Sequence, residues 1–151
     1  MNKSLVQRLL SSRAGAAALA LRVPVGIIFI AHGAQKLFGL FGGYGLEGTG
    51  QWMESIGLAP GYLMALMAGS AEFFGGLALL MGLLVRPAAL SLSFAMVVAI
   101  FSVHIHNGLF MSNNGYEFGL ALLAAAASLL FSGAGSLSLD QAIARRLGDE
   151  R

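Results

Sequence analysis

Residues 60–86 form an apolar run with a single carboxylate, Glu72, near its middle. A helix that crosses a bilayer needs about 20 predominantly apolar residues, and this run is long enough. A charge at the centre of such a helix costs at least ~2.5 kcal/mol, so Glu72 needs a partner inside the protein. Helical spacing places small residues beside it, which let a second helix approach closely. They are Ala65, Ala68, Gly69, Gly75 and Gly76.

The composition extends this argument to the whole chain. Of 151 residues, 57% are hydrophobic and 11% are charged, and the mean hydropathy is +0.78, which is typical of a polytopic membrane protein. The net charge is +2 and the basic residues form no stripe, which excludes a nucleic-acid-binding surface. Because the chain has no cysteine, it can form neither a disulfide nor a thiolate metal site.

The apolar segments predict an all-α fold, a transmembrane up-down four-helix bundle over residues 14–132. Its spans are expected at 14–38, 60–86, 88–107 and 116–132. The connection 39–60 is rich in glycine and too polar to cross. We interpret it as a helical loop resting on the mouth of the bundle, or as a lid over a site, with Thr49 capping its short helix.

Two polar segments flank the bundle. Residues 1–13 are basic and are expected to lie on the membrane surface, and residues 133–151 form a tail with a short helix that starts at Ser138 or Asp140. Basic residues gather at this end, with Arg86, Arg145 and Arg146. The positive-inside rule therefore places both termini in the cytoplasm.

Ionisable residues within membrane spans are candidates for function. Six such residues are predicted to line a polar pocket: Arg22, His32, Lys36, Glu72, His104 and Glu117. From the helix rise of ~1.5 Å per residue, we expect Arg22 and Glu72 to form a buried ion pair. Structural alternatives remain open: Arg22 snorkels to lipid headgroups, Lys36 anchors its helix at the interface, and Glu117 complements a helix N-terminus.

The pocket residues do not identify a cofactor. His32 and His104, joined by Glu117, are of the types that bind haem or a metal in bundle cores, but no spacing in the sequence is diagnostic. His104 and His106 lie ~200° apart on a helix, so they do not form a chelating pair unless the helix unwinds. We therefore predict no metal site, and a quinone or another small polar ligand fits the pocket better than haem.

Four runs of residues carry a resemblance to a known family. They are RVPVGIIFIAHGAQKLFGLFGG, AEFFGGLALLMGLLVRPAAL, HIHNGLF and GAGSLSLD. In this order and spacing they resemble the DoxX family of small bacterial four-span membrane proteins. The family's recurring polar positions match the six pocket residues together with Arg86 and Asn107. The resemblance implies the four-span fold and a location in the bacterial inner membrane. It also implies a link to quinol oxidases, thiosulfate:quinone oxidoreduction and membrane complexes that handle oxidative or thiol stress.

Three functions are compatible with these observations. The leading interpretation is an accessory or ligand-binding subunit of a membrane redox or stress-response complex, and not an enzyme on its own. The alternative is a quinone-linked oxidoreductase subunit in which Lys36 or Arg22 holds an anion such as thiosulfate. A small transporter is the third. The partners expected are the lipid bilayer, redox or stress-response proteins and, from small residues on the outer faces, a second copy in a homodimer.

Overall fold

The computed structural model describes residues 6, 9–12 and 14–149, and contains no strand within them. Six α-helices organise this part of the chain. They are α1 (Ala17–Phe38), α2 (Gly45–Ser55), α3 (Gly61–Met81), α4 (Val85–Ala99), α5 (Glu117–Ser132) and α6 (Leu139–Asp149). The axis of α4 continues through a π-helical turn, Ile100–His104, and a 3-10 turn, Ile105–Asn107.

Four of these helices form the bundle. The segments Ala17–Phe38, Gly61–Met81 and Val85–Asn107 have 22, 21 and 23 residues and are long and apolar enough to cross a membrane, while α5 is a shorter apolar helix. Contacts run from α1 to α3, α3 to α4, α4 to α5 and α5 back to α1. The predicted all-α bundle is confirmed. The predicted surface segment 1–13 falls largely outside the described residues.

The contact between α1 and α3 depends on glycine. A Cβ atom built on Gly33 would lie 2.7 Å from Phe73 Cα, and one on Gly26 would lie 2.8 Å from the carbonyl oxygen of Gly76. The reverse holds as well, because a Cβ on Gly76 would lie 2.7 Å from the Gly26 oxygen. The predicted small-residue stripe around Glu72 therefore lets the two helix backbones touch.

The apolar core occupies the half of the bundle where α1 begins and α5 ends, hereafter the terminal end. The largest fully buried apolar side chains are Phe29, Leu79, Leu92, Leu129 and Val85. The other half, hereafter the loop end, contains α2 and the connection between α4 and α5. This half is less completely filled, and the candidate site lies there.

Helix α2 rests on the loop end against α1 and α3. It begins at Gly45, so the prediction that Thr49 caps it was wrong, and Thr49 lies buried inside the helix. A Cβ on Gly50 would lie 2.9 Å from Tyr62 Cα. Glu54 Oε2 also accepts a hydrogen bond of 2.8 Å from the Gly61 backbone N–H. These contacts fix α2 to the first turn of α3.

The terminal end is held by charged side chains that cap helices. Asp140, which is 1% exposed, accepts hydrogen bonds from the backbone N–H groups of Leu84 and Val85 at 2.7 and 3.0 Å. Arg86 donates to the carbonyl oxygens of Leu130 and Phe131 at the end of α5. A carboxylate at a helix N-terminus and a guanidinium at a C-terminus both complement the helix dipole.

The tail helix begins as predicted. The Ser138 hydroxyl accepts a 3.2 Å hydrogen bond from the backbone N–H of Gln141, which is the contact that an N-cap residue makes. The Asp140 backbone N–H donates to the Gly82 carbonyl oxygen at 2.9 Å. The start of α6 is thus joined to the turn between α3 and α4.

Candidate functional site: a cavity at the loop end

A cavity of about 580 Å³ opens at the loop end among α1, α2, α3 and α4. This volume lies within the range of ligand-binding pockets in proteins. Its polar lining comprises Gln35, Lys36, Thr49, Glu72, Ser102, His104 and Asn114. Its apolar lining includes Trp52, Met53, Leu58, Ala68, Ala95, Val98, Ala99 and Val103. A few convergent polar groups in a mostly apolar hollow are typical of a small-molecule site.

Lys36 and Glu72 form an ion pair in this cavity. Lys36 Nζ lies 2.6 Å from Glu72 Oε2, and the two side chains are 22% and 6% exposed. Lys36 comes from the last turn of α1, and Glu72 from the middle of α3 on its glycine-rich face. The pair satisfies the buried carboxylate, and its two opposite charges leave this part of the cavity neutral.

The predicted ion pair between Arg22 and Glu72 was wrong. Arg22 Nη1 donates to the carbonyl oxygens of Leu79 and Leu80 at 2.9 and 2.8 Å, and Nη2 donates to that of Leu137. These acceptors lie at the terminal end, where α3 finishes and its last carbonyl groups lack helical partners. Gly82 leaves room for the guanidinium, since a Cβ there would lie 2.8 Å from Arg22 Nη1.

His104 is positioned by the irregular end of α4. It closes the π-helical turn, and its Nδ1 is 2.8 Å from the carbonyl oxygen of Asn114. Because a carbonyl only accepts, Nδ1 carries a proton and donates it in this contact. The Asn107 amide donates to the same oxygen at 3.2 Å. His106 lies exposed and does not line the cavity.

The structure brings three of the six predicted pocket residues together, namely Lys36, Glu72 and His104. The other three lie elsewhere. His32 bonds within its own helix, with Nδ1 3.1 Å from the Ile28 oxygen, and its ring packs 6.0 Å from that of Phe118. Glu117 Oε1 accepts a 2.6 Å hydrogen bond from the Met111 N–H. Within residues 6, 9–12 and 14–149, no group of His, Asp or Glu is arranged to hold a metal.

Four polar lining residues were not predicted to belong to the pocket: Gln35, Thr49, Ser102 and Asn114. Gln35 and Lys36 are adjacent, so a polar pair at the end of an apolar span was a usable signal. Thr49 and Asn114 come from segments outside the spans, and no periodicity in the sequence connects them with Glu72. The folding of α2 over the bundle brings Thr49 to the cavity, and the connection between α4 and α5 brings Asn114.

One wall of the cavity is a continuous stripe on α4. It consists of Ala95, Val98 and Ala99 on α4, together with Ser102 and Val103 in the π-helical turn that continues its axis. Ala68, one turn before Glu72 on α3, faces the same space. The cavity therefore combines a deep ion pair, a smooth wall of small apolar side chains and polar groups near the loops.

The sequence is similar to a known protein family and to several bacterial proteins. The DoxX family model matches residues 17–105. "Putative oxidoreductase CatD" of Bacillus subtilis is 36% identical over 81% of this chain and 83% of its own. "Inner membrane protein YqjF" of Escherichia coli is 33% identical over 85% and 92%, and an uncharacterized membrane protein of Mycobacterium tuberculosis is 31% identical over 92% and 88%. No solved structure matches significantly.

Proposed function

Because the chain belongs to the DoxX family of membrane proteins, we propose that it is an accessory, quinone-binding subunit of a membrane redox complex. The observation that carries the proposal is the cavity of about 580 Å³ with the Lys36–Glu72 pair inside it. A quinone ring is flat, uncharged and carries two carbonyl acceptors. The Lys36 ammonium and the Gln35 amide supply donors for such acceptors.

The charge balance of the cavity favours a neutral ligand over an anion. The Lys36 charge is compensated by Glu72 at 2.6 Å. Arg22, the other cation expected to hold an anion, is bonded to carbonyl oxygens at the terminal end. An anionic substrate such as thiosulfate would have to displace Glu72 and leave its carboxylate buried without a partner. An uncharged ring avoids that penalty.

One feature supports an accessory role over an enzyme acting alone. The chain has no cysteine, so thiol redox chemistry has to come from a partner protein. The relative from Bacillus subtilis is named a putative oxidoreductase, and this name favours the alternative function, described next. The quinone-linked oxidoreductase subunit remains the alternative. Quinone reduction by the purified chain on addition of a sulfur substrate would establish it.

We further propose that the protein lies in the inner membrane with both termini in the cytoplasm. The relative from Escherichia coli is named an inner membrane protein. Arg86, Arg145 and Arg146 lie at the terminal end, and the loop end carries Glu47 and Glu54. The positive-inside rule supports this orientation, in which the cavity faces the periplasmic side.

The proposed quinone binding is tested by native mass spectrometry of protein that is extracted mildly from its own membrane. We expect a bound mass equal to that of the membrane quinone in the wild type and its loss in Glu72→Gln. Glu47→Gln is the matched control, because Glu47 lies on the outer side of α2 and does not line the cavity. A wild-type chain that carries only phospholipid, or a quinone equally retained by Glu72→Gln, would contradict the proposal.

A further inference from the structure

The exposed residues in the cavity lining show where the cavity opens. Tyr44 and Trp52 are 82% and 43% exposed, and Ser102 and Asn114 are exposed as well. The first two belong to α2 and its approach, and the other two to the loop end of α4 and the connection that follows. The mouth therefore lies between α2 and α4.

The sides of α2 that face α1 and α3 are closed by backbone contacts. A Cβ on Gly43, just before α2, would clash with the backbone of Gln35 in α1. On the opposite side, a Cβ on Gly61 would lie 2.8 Å from the Glu54 backbone nitrogen. Neither contact has room for a ligand. Passage into the cavity is therefore confined to the side that faces α4.

The depth of the mouth points to the bilayer and not to bulk water. Ser102 lies five residues before Asn107, the end of the apolar segment, which is about 8 Å at the rise of a helix. This depth corresponds to the layer between headgroups and acyl chains. Tyr and Trp concentrate at that layer, and Tyr44 and Trp52 stand at the mouth.

We propose that the ligand lies with its ring beside the Lys36–Glu72 pair and that its apolar tail passes between Trp52 and Ser102 into the adjacent lipid. This inference rests on the proposed quinone binding and adds its substrate class, a long-tailed quinone taken from the membrane. The small side chain of Ser102 keeps the passage open. Ala95 and Ala99 on α4 give the tail an apolar track from the ring toward the mouth, where Ser102 lies.

The single tryptophan provides the readout. Trp52 is the one Trp in the chain and lines the cavity, so quinone binding should quench its fluorescence in nanodiscs. Two probes are titrated, a long-chain quinone and the same ring without a tail. In Ser102→Phe we expect the affinity for the long-chain quinone to fall about tenfold, as for overpacking of a filled space, and the affinity for the tail-less ring to change by about twofold or less.

Val97→Phe is the matched control, because Val97 is 37% exposed on α4 and does not line the cavity. It should leave both affinities unchanged. Ser102→Leu repeats the test with a smaller side chain. Equal effects of Ser102→Phe on the two probes, including no effect on either, would overturn the tail passage. Failure of the tail-less ring to quench the wild type saturably would instead contradict the proposed quinone site itself.

Discussion

The Lys36 ammonium contacts the Glu72 carboxylate at 2.6 Å across the most closely packed pair of helices, α1 and α3. Glu72 sits on a face of α3 that is buried together with Gly69, Gly75 and Gly76, so its carboxylate cannot reach lipid headgroups. Lys36 reaches it because a long, flexible stem carries the ammonium inward from the end of α1. The pair is thus both a structural contact and the polar centre of the cavity.

The first prediction concerns the stability of this pair. Glu72→Gln leaves a mostly buried ammonium without a counterion, and Lys36→Met leaves a buried carboxylate. Each should destabilise the protein by about 3 kcal/mol, because removing one partner of a buried pair leaves an uncompensated charge. The double variant should regain at least about half of the summed loss. Thermal unfolding in detergent, followed by Trp52 fluorescence, measures all four proteins. Strict additivity of the two losses would contradict the pairing.

The second prediction separates Arg22 from the site. Arg22→Lys keeps the charge but loses the planar group that bonds three carbonyl oxygens, those of Leu79, Leu80 and Leu137. We expect a loss of about 1–3 kcal/mol in stability. Quinone affinity should remain within about twofold of the wild type, because Arg22 does not line the cavity. Lys36→Met should lose affinity by about tenfold or more, as expected for a lost charge-assisted hydrogen bond.

A reversed result would be decisive. If Arg22→Lys abolished binding while Lys36→Met retained it, the ligand would lie at the terminal end and not in the cavity. Equal losses of affinity in both variants, with equal losses of stability, would indicate that binding merely reports folding. The temperature of unfolding is therefore measured on the same samples as the affinity.

The sequence predicted the spans and the inward face of Glu72 because both follow from local rules. Apolar length identifies a membrane helix, and small residues beside Glu72 mark its packed face. The ion-pair partner of Glu72 was harder to predict. Arg22 and Lys36 share one side of α1, and helix rise alone favours Arg22. The structure pairs Lys36 because Arg22 is already satisfied by the carbonyl groups that end α3.

The residues that sequence reasoning missed depend on irregular backbone or on distant contacts. Gly45 begins α2 with a φ of 66°, a left-handed conformation that glycine adopts without the strain of a side chain. Ile100–His104 form a π-helical turn, so the α-helical period used on the sequence does not apply to the direction of His104. Asp140 caps the N-terminus of α4 although it lies 55 residues further along the chain. No local sequence pattern predicts a cap from so distant a residue.

The third prediction concerns Asp140. Asp140→Ala removes two hydrogen bonds to the backbone N–H groups of Leu84 and Val85, which should cost about 2–4 kcal/mol. It should also loosen α6, so that trypsin cuts faster at the exposed Arg145 and Arg146. Ser136→Ala, a change at an exposed residue, is the control. If cleavage rates were the same in both variants, α6 would not be held by Asp140.

The fourth prediction compares two glycines in helices. Gly33→Ala should destabilise the bundle by several kcal/mol, because its Cβ would approach the Phe73 backbone of α3 to 2.7 Å, and a backbone cannot give way as a side chain does. Gly119→Ala meets only the Ile100 side chain, at 3.1 Å. Its small strain is offset by the better helix propensity of Ala, about 1 kcal/mol. If Gly33→Ala and Gly119→Ala lowered the unfolding temperature equally, the close contact of α1 and α3 would be contradicted.

The last prediction fills the cavity from its apolar wall. Ala99 lies on the α4 stripe between Ala95 and Ser102, and Phe in its place would occupy space that the ring or tail of the ligand requires. Ala99→Phe should therefore weaken quinone binding by about tenfold or more.

Ala124→Phe on the exposed face of α5 is the matched control and should bind as the wild type does. Because the new ring enters an existing hollow, the stability of Ala99→Phe should stay within about 1 kcal/mol of that of the control. A large loss of stability with unchanged affinity would mean that this space is packed in the membrane, and that the ligand binds elsewhere.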